Sequence, residues 1–154
     1  MVDGCCCMKT QSTVLATSGL LIVGWTVQLI LSIDRFVSAI KWSHDNPDHK
    51  EIGATQVGVS GLLVIVDSSQ TVLSMLLLSA VFMRDLNKLQ PWFILTALNL
   101  TAYIPLSIVS CFVEVTSQPE FILAWILILM SLYAVWLASE FKKEFTVPSM
   151  ERLL

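Results

Sequence analysis

The sequence predicts an all-α integral membrane protein, a four-helix bundle that crosses the bilayer four times with both termini cytoplasmic. Composition is the first observation: of 154 residues 55% are hydrophobic and 14% charged, against about 25% charged in an ordinary soluble domain, and the mean hydropathy is +0.75. The second is spacing. Charges cluster and leave apolar stretches at 13–33, 58–83, 92–113 and 121–138, each near the ~20 residues that span ~30 Å of hydrocarbon as a helix. The third is the distribution of Lys and Arg, which cytoplasmic flanks retain. Lys9, Arg84, Lys88, Lys142, Lys143 and Arg152 fall on the side of the termini, whereas Arg35, Lys41 and Lys50 fall on the other.

Residues 1–154 therefore read as a single transmembrane domain, with outer loops at 34–57 and 114–120 and a cytoplasmic tail at 139–154. The first apolar stretch exceeds a signal-peptide core and has no clear small-x-small cleavage site after it, so it is expected to stay in the mature chain. A net charge of −3 without a basic run gives nucleic acid nothing to bind.

Beyond Ile33, the residues Phe36, Val37 and Ile40 can carry the first helix past the bilayer or along its surface, with Lys41 and Trp42 as interfacial anchors. The segment from Ser43 to Glu51 reads as a polar loop. Helix two returns, and the stretch from Arg84 to Pro91 is short enough to make helices two and three antiparallel neighbours. Pro105 is tolerable within helix three because neighbouring groups can satisfy the carbonyl that it frees. A short connection with Pro119 leads to helix four, which is expected beside helix three. Phe141 and Phe145, four apart, suit a helix lying on the inner leaflet.

Cys5, Cys6 and Cys7 form a juxtamembrane cluster in reducing cytosol. Such cysteines are sites of S-acylation, and unmodified thiols are the alternative. Three consecutive cysteines cannot easily wrap a tetrahedral ion, so no metal or other cofactor is expected. His44 and His49 flank Asp45, Pro47 and Asp48 in a spacing that suits a solvated loop better than a ligand set. Asn99-Leu100-Thr101 matches a glycosylation sequon but lies inside a span. Leu153 and Leu154 end the chain as a weak dileucine-type sorting signal, with Ser149 where an acid would stand.

Asp67 is the ionisable residue deep in the second span. It shares a helical face with Gln70, Thr71 and Ser74, with Ser60 two turns away. That stripe must avoid lipid. Asn99 and Tyr103 of helix three, and Gln28 of helix one, are candidate partners, with Asn99 expected near Ser74. No Lys or Arg is expected within a span to pair with Asp67. A carboxyl at that depth must be hydrogen-bonded inside the bundle or reached by water. The first case makes it a helix-assembly residue, at about 0.6 kcal/mol per interhelical hydrogen bond; the second makes it a proton or ion site. Transport normally needs a second polar helix or a relay of titratable groups, so assembly is the preferred reading. Gly19, Gly24, Ala54, Gly58 and Gly61 add small residues suited to close helix packing.

The cysteine cluster, Met8-Lys9-Thr10 and the Val14-Leu15 start of helix one resemble the opening of the lysosome-associated four-pass transmembrane proteins and their insect relatives, a group that includes the pasiflora proteins of septate junctions. The resemblance covers the four-pass plan and about ten residues of motif. It implies a role in cell junctions or membrane traffic. The lysosomal members carry proline-tyrosine motifs in their tails, and this tail has Pro148 without a tyrosine, which favours the junction side of the group. Claudins fit poorly for want of the paired cysteines and tryptophan motif in the first outer loop. Tetraspanins need a large second outer loop.

The expected function is non-enzymatic: a four-pass protein of the plasma membrane, at lateral cell contacts rather than in endosomes or lysosomes, that assembles in the lipid bilayer with itself or other membrane proteins. The alternative is a small proton-linked transporter or channel subunit using Asp67. No HExxH, Ser-His-Asp set or phosphate-binding glycine loop argues for an enzyme.

Overall fold

A computed structural model describes residues 4–113 and 118–151, with side chains from Thr10 to Val113 and from Gln118 to Lys143. The described chain has four long helices and no strand: α1 (Gly4–Asp45), α2 (Lys50–Phe82), α3 (Leu89–Phe112) and α4 (Gln118–Glu151), with single 3-10 turns at Pro47–His49 and Leu86–Lys88. All four are long and apolar enough to cross a membrane.

The helices outrun the apolar stretches that predict them. Residues 34–57, read as an outer loop, are helical except for the connection around Asn46 and Pro47–His49. Residues 139–151, read as tail, continue α4. A backbone already in helical register gains a hydrogen bond for each residue added, so polar residues alone do not stop it. Pro47, which cannot donate to the preceding turn, stands where α1 gives way.

The α1–α2 pair carries the most extensive interface; α2 also packs on α3 and α1 on α4, and α3 and α4 are neighbours, as their short connection predicts, with the slightest of these four interfaces. Three matched positions set the antiparallel register of α1 and α2. Gly53 meets Ser43, where an added Cβ would lie 2.7 Å from the Ser43 hydroxyl oxygen; Gly61 meets Phe36; Ser32 meets Asp67. Trp25 with Ser131, Gly24 with Leu127 and Arg35 with Glu120 set α1 against α4 in the same way. At Gly24 a side chain would collide with Leu127, whereas Gly19 and Gly58 face open space.

At the end away from the α1–α2 tip, Gln11 donates to the Val81 carbonyl at 3.4 Å and accepts from Arg84 at 3.3 Å. Arg84 has a φ of 53°. It closes α2 because the Asp85 N–H reaches the Ala80 carbonyl at 2.9 Å and its own N–H reaches Val81 at 3.3 Å, the double bond of a Schellman motif. Phe141 is fully buried, not lying on the membrane surface, and Val14, Leu77, Ala80, Leu89 and Trp92 belong to the same apolar core. The Phe145 side chain lies outside the described ones. On the opposite face of α1, Leu20, Val23, Val27, Ile30, Ile33, Val37 and Ile40 form an exposed apolar stripe, as a lipid-facing helix requires.

Candidate polar site inside the bundle

Helical periodicity brings a second polar face into the core. On α1, Trp25, Gln28, Ser32, Arg35 and Ala39 recur at spacings of three and four, so they share one side, and that side faces inward. Opposite it, α2 presents Asp67, Gln70, Thr71 and Ser74, all buried. Two polar helices therefore face each other where a single stripe was expected.

Across this interface the Ser32 hydroxyl donates to Asp67 Oδ2 at 2.5 Å, and Asp67 is 0% exposed. Tyr103, from α3, interacts with both the Asp67 carboxyl and the Gln28 amide. Its ring meets Trp25 edge to face, with centroids 5.3 Å apart and planes at 88°. The Trp25 indole N–H in turn donates to Ser131 of α4 at 3.3 Å. All four helices thus contribute to one connected group.

Arg35, read from the sequence as an outer-loop residue, belongs instead to the uninterrupted helix α1. It sits inside α1, one turn from Ser32 toward the tip, forms an ion pair with Glu120 at the start of α4, and interacts electrostatically with Asp67 and Tyr103. Its side chain is 12% exposed and that of Glu120 19%. A charge this sheltered persists only where it is paired. Pairing with α4 supplies what sequence proximity could not.

The other polar residues divide. Thr71 and Ser74 turn their hydroxyls onto the carbonyls of Asp67 and Gln70 in their own helix, each at 2.9 Å, so they satisfy themselves and bridge no helices. Asn99 is half-buried and distant in role from Ser74: its Nδ2 donates to the Val66 carbonyl at 3.4 Å. It lines an outward-facing groove of about 680 Å³ between α2 and α3, together with Ser68, Ser69, Leu95, Leu98 and Ala102. Gln28 Oε1, Asp67 Oδ1 and Gln70 Nε2 have no well-aligned hydrogen-bond partner among the described residues.

Of the remaining candidates, Cys5, Cys6 and Cys7 fall in the first turns of α1, and their side chains lie outside the described ones. Leu153 and Leu154 lie outside the described residues. His44 and His49 are exposed; His44 lies 3.6 Å from Asp45 and His49 stacks on Trp42. Among the described residues, no three His, Cys, Asp or Glu side chains gather as a metal site would require. Sequence reasoning missed Ser32 and Arg35, although their spacing from Gln28 carries the signal.

No protein-family model, curated protein or solved structure matches this chain.

Proposed function

We propose that this chain is a non-enzymatic four-pass membrane protein that assembles laterally with other membrane proteins or with itself. The observation that carries the reading is the outward placement of Asn99. A carboxamide on a lipid-facing groove is costly unless another polar or small surface covers it. Here it opens beside Ser68, Ser69 and Ala102, small residues that let a second helix approach closely. The inward polar group, by contrast, holds the four helices to one another.

In the same reading both termini face the cytosol, as the distribution of Lys and Arg suggests, and acylated Cys5, Cys6 and Cys7 anchor the inner end of α1. The resemblance to the pasiflora group supports a junction role at lateral plasma-membrane contacts, ahead of membrane traffic. The test is replacement of Asn99 by Leu, with the particle mass read in nanodiscs formed directly from epithelial membranes. Loss of the assembly with the folded bundle retained, apart from the small cost of the lost bond to the Val66 carbonyl, is the expected result. An assembly of unchanged mass would overturn the reading.

A specific observation favours the proton-linked alternative as a second reading: α1 supplies the second polar helix, through Gln28, Ser32 and Arg35. Reconstituted protein with Asp67→Asn separates the two. Flux that depends on a proton gradient and disappears in that variant would favour transport, whereas lateral assembly should survive the exchange.

A further inference from the structure

We infer that the bundle holds internal water beside Asp67 and that the Arg35–Glu120 ion pair closes this site toward the α1–α2 tip. The site is defined by Gln28 of α1 and by Asp67 and Gln70 of α2. These residues are 2%, 0% and 2% exposed, and among the described residues each leaves one polar atom without a well-aligned partner, with Tyr103 beside Gln28 and Asp67. Tyr103 interacts with both Gln28 and Asp67, which brings those two together, and Gln70 follows Asp67 about one turn along the same buried face of α2.

Unpartnered polar atoms in a bundle interior are costly, and hydrocarbon offers them no alternative. The chemistry of the three selects the ligand. Gln28 Oε1 and a carboxylate Oδ1 of Asp67 call for a donor, whereas Gln70 Nε2 calls for an acceptor. A metal cation would serve the two oxygens but repel the amide N–H, with Arg35 close by; an anion would face Asp67. Water donates and accepts, and buried waters typically make about three hydrogen bonds.

The closure follows from position. Arg35 is the next inward-facing residue of α1 beyond Ser32 toward the tip, and Glu120 meets it from the first turn of α4. Past this pair, Lys41 and Trp42 are exposed. Water that enters from the tip between α1 and α4 meets these two paired side chains before it reaches Asp67.

The test is X-ray hydroxyl-radical footprinting of the full chain in nanodiscs, with rapid mixing into ¹⁸O-water. Radicals made from a bound water label the residue beside it, so Tyr103, which is 1% exposed, should be oxidised, while the equally buried Leu77 should not. The ¹⁸O label should reach Tyr103 about tenfold faster in Glu120→Ala than in the unaltered chain. The double variant Arg35→Glu with Glu120→Arg should restore slow exchange, and its intact fold separates gating from unfolding. Tyr103 as silent as Leu77 would remove the water site. Equal exchange in the unaltered chain and in Glu120→Ala would overturn the closure.

Discussion

The Ser32 hydroxyl donates to the Asp67 carboxylate across the α1–α2 interface at 2.5 Å, both residues being buried. The Asp67 carboxyl has its partners only inside the bundle, whereas the Ser32 hydroxyl can fall back on its own helix backbone. Asp67→Leu is expected to destabilise the bundle by about 1–3 kcal/mol because it removes the partner of both Ser32 and Tyr103. Asp67→Asn keeps an acceptor oxygen and should cost less. Thermal unfolding in one detergent, followed by size-exclusion fluorescence, ranks the two; equal losses would show that the carboxyl acts through charge and not through this bond.

Gly53 tests the register. Its Cβ would come within 2.7 Å of Ser43 Oγ and 3.2 Å of the Ser43 backbone, so Gly53→Val must push α1 and α2 apart near the tip. A loss of about 1–3 kcal/mol is expected, as overpacking usually costs. Val at Gly58, where nothing lies within 4 Å, is the matched control and should be tolerated.

At Arg84 the prediction runs the other way. A left-handed residue with a Cβ costs about 1–2 kcal/mol, and φ there is 53°. Arg84→Gly should therefore raise the melting temperature despite losing the exposed bond to Gln11. A lower melting temperature would mean that the guanidinium, and not the backbone, governs this turn.

The cysteine cluster can be read chemically. Metabolic labelling with an alkynyl fatty acid should mark the unaltered chain and fall to background when Cys5, Cys6 and Cys7 are all replaced by Ser. Cys111, exposed at the far end of α3, remains as the internal control. Labelling that persists in the triple variant would assign acylation elsewhere.

The spans were legible because the length of an apolar run is a direct measure of bilayer thickness. Their ends were not. Asp34 and Arg35 interrupt the first run, yet α1 continues, because charge does not end a helical backbone, and the Glu120 that pairs with Arg35 comes from a distant part of the chain that no local pattern reveals. Asp67 and its stripe could be read as inward from polarity alone, and of the residues grouped with it Ser60, Gln70, Thr71, Ser74, Gln28 and Tyr103 are buried, all but Asn99. Asn99 was misjudged for the same reason. Polarity says that a residue must avoid lipid, but only packing decides whether it does so inside its own bundle or in a groove on its surface. Ser32 was missed because a single hydroxyl in a helix usually satisfies itself on its own backbone.

The uninterrupted course of α1 has a mechanical side. From Gly4 to Asp45 it contains no proline and no break, and at about 1.5 Å per residue it reaches roughly 60 Å. A helix without a proline kink has no sharp joint along its length. Trp42 at the tip, Arg35, Ser32 and Gln11 all stand on this one continuous element. The first helix is thus a single strut, with the three cysteines at the end opposite the tip.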